Sequence, residues 1–296
     1  MPFFTPLSHR ALISVQGEDH LSFLQGMISN DVRHLESGQA MWAAFLTPQG
    51  KFLHEFFAVP HDQSVLLECE RERRADLITR LSRYRLRAKV TLAPDDTLVV
   101  GVAWGEGASA ALKTAEDLGA VTRLGAGVLY TDPRLLGAGV RWALPADHVG
   151  APLEKSGLTA ASLANYDTHR MTLGLPDGSR DLEIEKALLL ENGFAELHGV
   201  DFNKGCYIGQ ELTARTHYRA LIKKRLMPVT IDGDAPAFGT SLTANGVDAG
   251  ELRSVSGNRG LALVKLEAWR TASGGVLEAG SAKITPHLPA WMELPA

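Results

Sequence analysis

Lys204-Gly205-Cys206-Tyr207-Ile208-Gly209-Gln210-Glu211 is the stretch on which the reading turns. Two glycines bracket a single cysteine, and a lysine precedes it by two residues. Glycine admits positive φ and close backbone approach, so the segment reads as a tight turn and not as a helix or strand. A neighbouring ammonium favours a thiolate, which makes Cys206 and Lys204 the candidate reactive pair. Gln210 and Glu211 add polar groups within the same few residues. On chemistry alone, a buried cysteine held in a glycine turn is an equal reading.

Working outward, the texture changes just after this stretch, near residues 220–226. From Leu226 on, short apolar runs alternate with turn signals at Asp232-Gly233, Asn245-Gly246, Gly257-Asn258 and Ser273-Gly274-Gly275. Short strands at that spacing predict a small barrel. Upstream the pattern is mixed. Residues 11–15 read as a strand closed by Gly17, and Asp19 is placed to cap a helix with Leu21, Leu24 and Ile28 on one face. Residues 41–46 and 51–59 flank the turn Thr47-Pro48-Gln49-Gly50, a hairpin signal. Strands are also predicted over 64–69, 89–92 and 98–104, and helices over 71–85, 108–118 and 158–173. Gly174-Leu175-Pro176 stops the last helix, and 183–190 is a second short apolar stretch. Such alternation with adjacent hairpins predicts an α+β fold.

Composition bounds the function. The 296 residues are 45% hydrophobic and 22% charged, enough for a large core divided over two or three compact units. Net charge is −4, so no basic excess points to nucleic acid or an anionic membrane. The basic clusters are local: Arg71-Glu72-Arg73-Arg74, then Arg80, Arg83, Arg85, Arg87 and Lys89, and later Lys223-Lys224-Arg225. Cys69 and Cys206 are the only cysteines, too few for a disulfide framework or for a conventional four-thiolate cluster. The N-terminal residues lack a signal-peptide pattern, and no apolar run reaches the roughly 18 residues of a membrane span. The expectation is a cytoplasmic protein with free thiols. The histidines are scattered without zinc-ligand spacing, and no Gly-rich phosphate loop occurs.

The stretch 204–211 resembles the K-G-C-Y-x-G-Q-E signature of the YgfZ family, matched at every fixed position. That family lies within the superfamily of the glycine-cleavage T-protein, an aminomethyltransferase. Other fragments follow in order: Gly17-Glu18-Asp19, Phe23-Leu24-Gln25-Gly26, Asn30-Asp31-Val32, Pro48-Gln49-Gly50-Lys51, Tyr84-Arg85-Leu86-Arg87-Ala88-Lys89-Val90 and Gly199-Val200-Asp201-Phe202. The likeness covers roughly residues 10–270. It implies two α+β lobes around a central cavity plus a small C-terminal β-barrel. The boundaries it suggests are 1–45 with 140–222 for the first lobe, 46–139 for the second and 223–296 for the barrel.

The resemblance also implies a function: binding of tetrahydrofolate or a derivative, and a role in assembly or repair of iron–sulfur enzymes, including tRNA-modifying ones. Iron–sulfur client proteins are then its partners. Cys206 would serve as nucleophile, redox group or transient iron ligand, with Gly205, Tyr207, Gly209, Gln210 and Glu211 completing its motif. A pterin edge offers two adjacent N–H donors that a carboxylate accepts in bidentate fashion. Glu191 resembles the family's glutamate in that role; its bland reading is an exposed helix-end acid. Arg215 and Arg219 are candidates for the glutamate tail of folate, and Tyr166 for an aromatic neighbour of the ligand, or a plain core tyrosine. Asp76 falls where the T-protein has its catalytic aspartate; the bland reading is a solvated helix residue. Two alternatives stand: aminomethyl transfer like the T-protein itself, although Cys206 replaces an acid of the T-protein's D-F-I-G-R-E, and a non-enzymatic scaffold for client proteins.

Overall fold

The computed structural model describes residues 1–219 and 222–294, so the expected boundary at 220–226 falls partly outside them. In chain order the elements are β1 (Phe3–Pro6), β2 (Arg10–Gln16), α1 (His20–Met27), α2 (Arg33–Glu36), β3 (Met41–Leu46), β4 (Phe52–His61), β5 (Ser64–Glu70), α3 (Arg74–Ser82), β6 (Thr91–Asp95), β7 (Val99–Trp104), α4 (Ala108–Leu112), β8 (Val121–Leu124), β9 (Gly127–Thr131), β10 (Val140–Leu144), α5 (Ala151–Lys155) and β11 (Thr159–Ala160). Then follow α6 (Leu163–Leu173), α7 (Gln210–Tyr218), β12 (Lys224–Asp232), β13 (Ser241–Ala244), β14 (Val247–Ser256), β15 (Arg259–Lys265), α8 (Leu266–Thr271), β16 (Leu277–Ala279) and β17 (Ala282–Pro286).

Two compact units result: Met1–Pro48, Leu53–Leu163 and Leu197–Gln210 form one, and Gln49–Phe52, Ala164–Glu196 and the chain from Glu211 onward form the other. The first holds a five-stranded sheet ordered β3-β4-β5-β2-β6 and a six-stranded sheet ordered β11-β1-β7-β10-β9-β8. In the second, β12-β15-β14-β13-β16-β17 close into a barrel around Met227, Leu252, Val264 and Ile284. Closure removes the exposed edges that a short open sheet would carry. The α+β class and the C-terminal barrel thus match the sequence reading.

α1 packs Phe23 and Leu24 onto the core of the five-stranded sheet with Ile13, Phe45, Phe56 and Leu67. Its N-terminus differs from expectation. Asp19 makes no side-chain cap to α1; its Oδ2 accepts from the backbone N of Lys89 at 2.7 Å. Gly17 makes that approach possible, because a Cβ there would lie 2.0 Å from the Lys89 carbonyl oxygen. The alanine-rich helix expected over 108–118 stops at Leu112, where Lys113 turns left-handed at φ 56°. The helix expected from 158 begins at Leu163, because Thr159 and Ala160 pair in parallel with Phe3 and Phe4 instead. Here a ladder pairing overrides helix propensity.

The first unit joins its two sheets through buried charge. Arg10 on β2 meets Glu55 of β4 at 2.5 Å and Glu68 of β5 at 3.2 Å, and Arg141 of β10 and the Tyr130 hydroxyl of β9 also bond Glu68. Asp132 pairs with Arg134 at 2.8 Å, and Trp42 donates to Glu55 at 2.6 Å. Arg141 and Arg134 both lie over the Phe57 ring. Burial alone would raise the Glu68 pKa, but Arg141 and Arg10 outweigh it and hold the carboxyl below its ordinary value. The second unit has its own cluster, in which Arg170 pairs with Asp167 and Asp181, both at 2.7 Å.

Candidate functional site

The signature forms the irregular stretch that leads into α7, and its anchor is Lys204. The Lys204 Nζ donates to the carbonyls of Gln25 at 2.8 Å, Ile28 at 2.7 Å and Asn30 at 2.7 Å. An ammonium has three donors, and these three acceptors take all of them. Two of the carbonyls belong to the end of α1 or its exit, where a cation is favoured by the helix dipole. The ammonium also lies 5.0 Å from the centre of the Tyr207 ring. Burial pulls the Lys204 pKa down to about 8, against the opposing pull of Asp31 and Asp201.

The rest of the loop is tied just as locally. Asp201 Oδ1 accepts from the backbone N of Asn203 at 2.6 Å and of Lys204 at 3.1 Å. Ile208 N donates to the Gly26 carbonyl at 3.2 Å, and Tyr207 N donates to Gln210 Oε1 at 3.2 Å. The two glycines are not equivalent. Gly209 sits at φ 82°, whereas Gly205 has no positive φ and a Cβ there would meet nothing within 4 Å. The freedom that glycine offers a tight turn is thus used at Gly209 and not at Gly205. Between these fixed points Cys206 is a free, exposed thiol. Glu211 is exposed in the first turn of α7.

Cys69, by contrast, is buried on β5, and burial pushes its thiol up to about 12. Asp76 lies on α3 in a different cluster. It accepts from Arg80 Nε at 2.8 Å and pairs with His54 Nε2 at 2.9 Å, with Arg73 at 3.8 Å. Its carboxyl is held below the ordinary value: burial would raise it, and the Arg80 and His54 hydrogen bonds outweigh burial. Burial and Arg73 drive the His54 pKa down to about 4, so the ring is neutral and its Nε2–H donates to Asp76.

Glu191, Tyr166 and Arg215 belong to the second unit. Glu191 sits on the 3-10 turn Leu189–Asn192, half-buried, and accepts no hydrogen bond among the described residues. Burial raises its carboxyl above the ordinary value, against the pull of Lys224, Lys51 and Arg225. It lines a cavity of ≈ 340 Å³. Several other charges there pair off: Arg253 with Glu251 at 3.0 Å, Lys265 with Asp248 at 2.8 Å, and Lys186 with Glu183. An unpartnered half-buried carboxylate fits a pair of N–H donors on a ligand edge. Tyr166 is a buried residue of α6, its ring 6.5 Å from that of His169. Arg215 and Arg219 are exposed.

Sequence reasoning missed the supports of this site. The carbonyls that hold Lys204 lie more than 170 residues earlier in the chain, and backbone acceptors leave no side-chain signature. In the separate charge cluster that joins the two sheets, Glu68 within Val65-Leu66-Leu67-Glu68-Cys69 did carry a signal: a charge on a buried strand requires a partner. Among the described residues no group of three or more His, Cys, Asp or Glu side chains is arranged to hold a metal ion, and no helix is long and apolar enough to cross a membrane.

Residues 223–294 match the family model described as the CAF17 C-terminal β-barrel domain. Iron–sulfur cluster assembly factor IBA57, mitochondrial, from Homo sapiens is 37% identical over 87% of this chain and 76% of its own length. Its counterpart from Mus musculus is 36% identical over 88% and 77%, and the homologue from Coccidioides immitis is 30% identical over 97% and 82%. Among solved structures, glycine cleavage system aminomethyltransferase T from Bartonella henselae superposes with a TM-score of 0.77 at 17% identity, covering 99% of this chain and 86% of that one. That likeness shows the fold. The cytoplasmic expectation does not stand, because these relatives are named as mitochondrial proteins.

Proposed function

The chain belongs to the IBA57, or YgfZ, family of iron–sulfur cluster assembly factors, and we propose that within that role it binds a reduced folate through Glu191 and offers the Cys206 thiol to the partner that carries the cluster. The observation that supports this most directly is the exposed Cys206 on a loop that Lys204 rivets to the end of α1. A thiol held in a fixed pose can meet a partner's iron or thiol at lower ordering cost than one on a mobile loop. Cys69 is buried, so Cys206 is the one cysteine able to meet a partner, and any cluster it touches is shared. Lys204 acts as the positioning residue of this arrangement.

Glu191 would accept the two N–H donors of an amino-pyrimidinone edge, and the raised pKa of a desolvated, unpartnered carboxylate is what such a ligand relieves. Bound there, a reduced folate supplies a one-carbon carrier and a reducing ring. Arg215, exposed on α7, is the candidate for the folate tail, and Tyr166 for packing beneath the ligand. Aminomethyl transfer finds less support, because Asp76, the acid that reading needs, is engaged by Arg80 and His54.

Two substitutions separate the halves of this reading. Cys206→Ser in cells lacking the original chain should abolish support of iron–sulfur enzymes, tRNA-modifying ones included, with the melting temperature unchanged. Full support by that variant would remove the thiol from the mechanism. Glu191→Gln should weaken tetrahydrofolate binding roughly tenfold or more in calorimetric titration, as loss of a charge-assisted bidentate pair does. Wild-type affinity would remove Glu191 from the site.

A further inference from the structure

Leu86 is 89% exposed and lies in the left-handed region at φ 43°. A non-glycine residue there carries backbone strain, and an apolar one gains nothing from water in return. It is the tip of a turn in which Arg83, Tyr84, Arg85 and Arg87 are also exposed. Arg83 and Arg87 pair with no carboxylate among the described residues, and the Arg85 guanidinium bonds the Val90 carbonyl, at 3.3 Å, and no carboxylate among those residues. Lys89 alone has an acid, the exposed Glu18 at 2.7 Å. The chain's net charge is −4, so this basic turn is a local reversal of sign.

Both ends of α1 bear on its place. Lys89 N bonds Asp19 Oδ2 at the start of α1, and Asp19 N bonds the Lys89 carbonyl at 3.4 Å. The signature loop is held at the other end through Lys204 and through Ile208. Ala88 and Ile208 pack against the same core as Leu21 and Met27 of the helix. Eight residues of helix span about 12 Å. A protein interface of ordinary size covers roughly 800 Å² per partner, a disc roughly 30 Å across. A partner that meets Cys206 is therefore wide enough to cover the Leu86 turn as well.

We infer that the Leu86 turn is the docking surface for the acidic protein that meets Cys206: Leu86 enters an apolar pocket of that protein, and Arg83, Arg85 and Arg87 face carboxylates around it. This rests on the reading of Cys206 above and specifies its partner's chemistry. A protein fits better than a nucleic acid. An extended leucine adds nothing to phosphate binding, and Tyr84, the one aromatic ring of the turn, already packs edge-on against Phe45 at 6.1 Å. Buried apolar anchors ringed by charge are the usual form of an interface hot spot.

The test begins with Leu86→Asp and the double variant Arg83→Glu, Arg87→Glu, expressed in cells lacking the original chain. Aspartate accepts a left-handed backbone more readily than leucine, so Leu86→Asp should melt no lower than the wild type. The expected result is a loss of iron–sulfur enzyme activity of roughly tenfold or more, with tetrahydrofolate affinity and the alkylation rate of Cys206 unchanged. Wild-type activity in Leu86→Asp overturns the inference, whereas wild-type activity in Cys206→Ser overturns the parent reading and leaves Leu86 to be judged by its own variant. A photoreactive residue at position 86 and disulfide trapping at Cys206 should capture one and the same acidic protein, identified by mass spectrometry. Different proteins at the two positions, or a nucleic-acid adduct at 86, overturn the docking surface.

Discussion

Lys204 illustrates how far a single residue can be read. Its type and its distance of two from Cys206 suggest an ammonium that lowers a thiol pKa. Its partners, the carbonyls of Gln25 and Ile28 at the end of α1 and of Asn30 just beyond it, give it a structural task instead. The two roles predict different outcomes for Lys204→Met. As an anchor, its loss strands buried acceptors, costs about 1–3 kcal/mol and lowers the denaturation midpoint. As an activator alone, its loss would slow alkylation of Cys206 at constant stability. We expect the midpoint to fall. The cysteines yield a second prediction at this scale. Cys206 is exposed, and Cys69 is buried with its thiol pushed up to about 12. One equivalent of iodoacetamide should therefore react with the folded chain and a second only after denaturation. Two fast equivalents in the folded state would contradict the burial of Cys69.

Elements were legible where a signal is local, and less so where pairing decides. The hairpin at Asn245-Gly246 follows from two residues that accept positive φ, at 51° and 77°, and Ala244 pairs with Val247 across it. Thr159 and Ala160 carry no strand signal of their own; β1, more than 150 residues earlier, recruits them. Helix α1 lies between these cases. Its apolar face was readable, but Asp19, placed as a cap, is diverted to the Lys89 backbone, which no pattern near residue 19 announces. Gly17 permits that contact, so Gly17→Ala should break it, since its Cβ would sit 2.0 Å from the Lys89 oxygen and its φ is 116°. We expect a loss of about 2 kcal/mol or more and faster tryptic cleavage between Arg83 and Lys89. Unchanged cleavage would mean that the turn is held by other means.

For the whole molecule, apolar periodicity was sufficient to indicate an α+β chain ending in a barrel, but not the ions inside it. A charge on a buried strand can be recognised in sequence, yet its partner lies across a sheet. Those ions, together with one buried neutral histidine, set the acid stability. His54 is buried and neutral, with a pKa of about 4 against roughly 6.5 in an unfolded chain. Between those values the unfolded chain binds the extra proton, so stability rises with pH there and falls as pH is lowered from about 6.5 to 4. The difference amounts to about 3 kcal/mol. Glu68 and Asp132 act lower on the scale. Their carboxyls are held below the ordinary value, because Arg141 and Arg10 outweigh burial for Glu68, and Arg134 does so for Asp132. Their contribution is complete above about pH 4 and is lost as pH falls through the folded values. Urea midpoints measured against pH should decline in two stages, the first due to His54. His54→Gln keeps a neutral donor toward Asp76 and removes the titration, so its midpoint should stay level between pH 6.5 and 5 where the wild type declines. An equally steep decline in that variant would assign the first stage to another group.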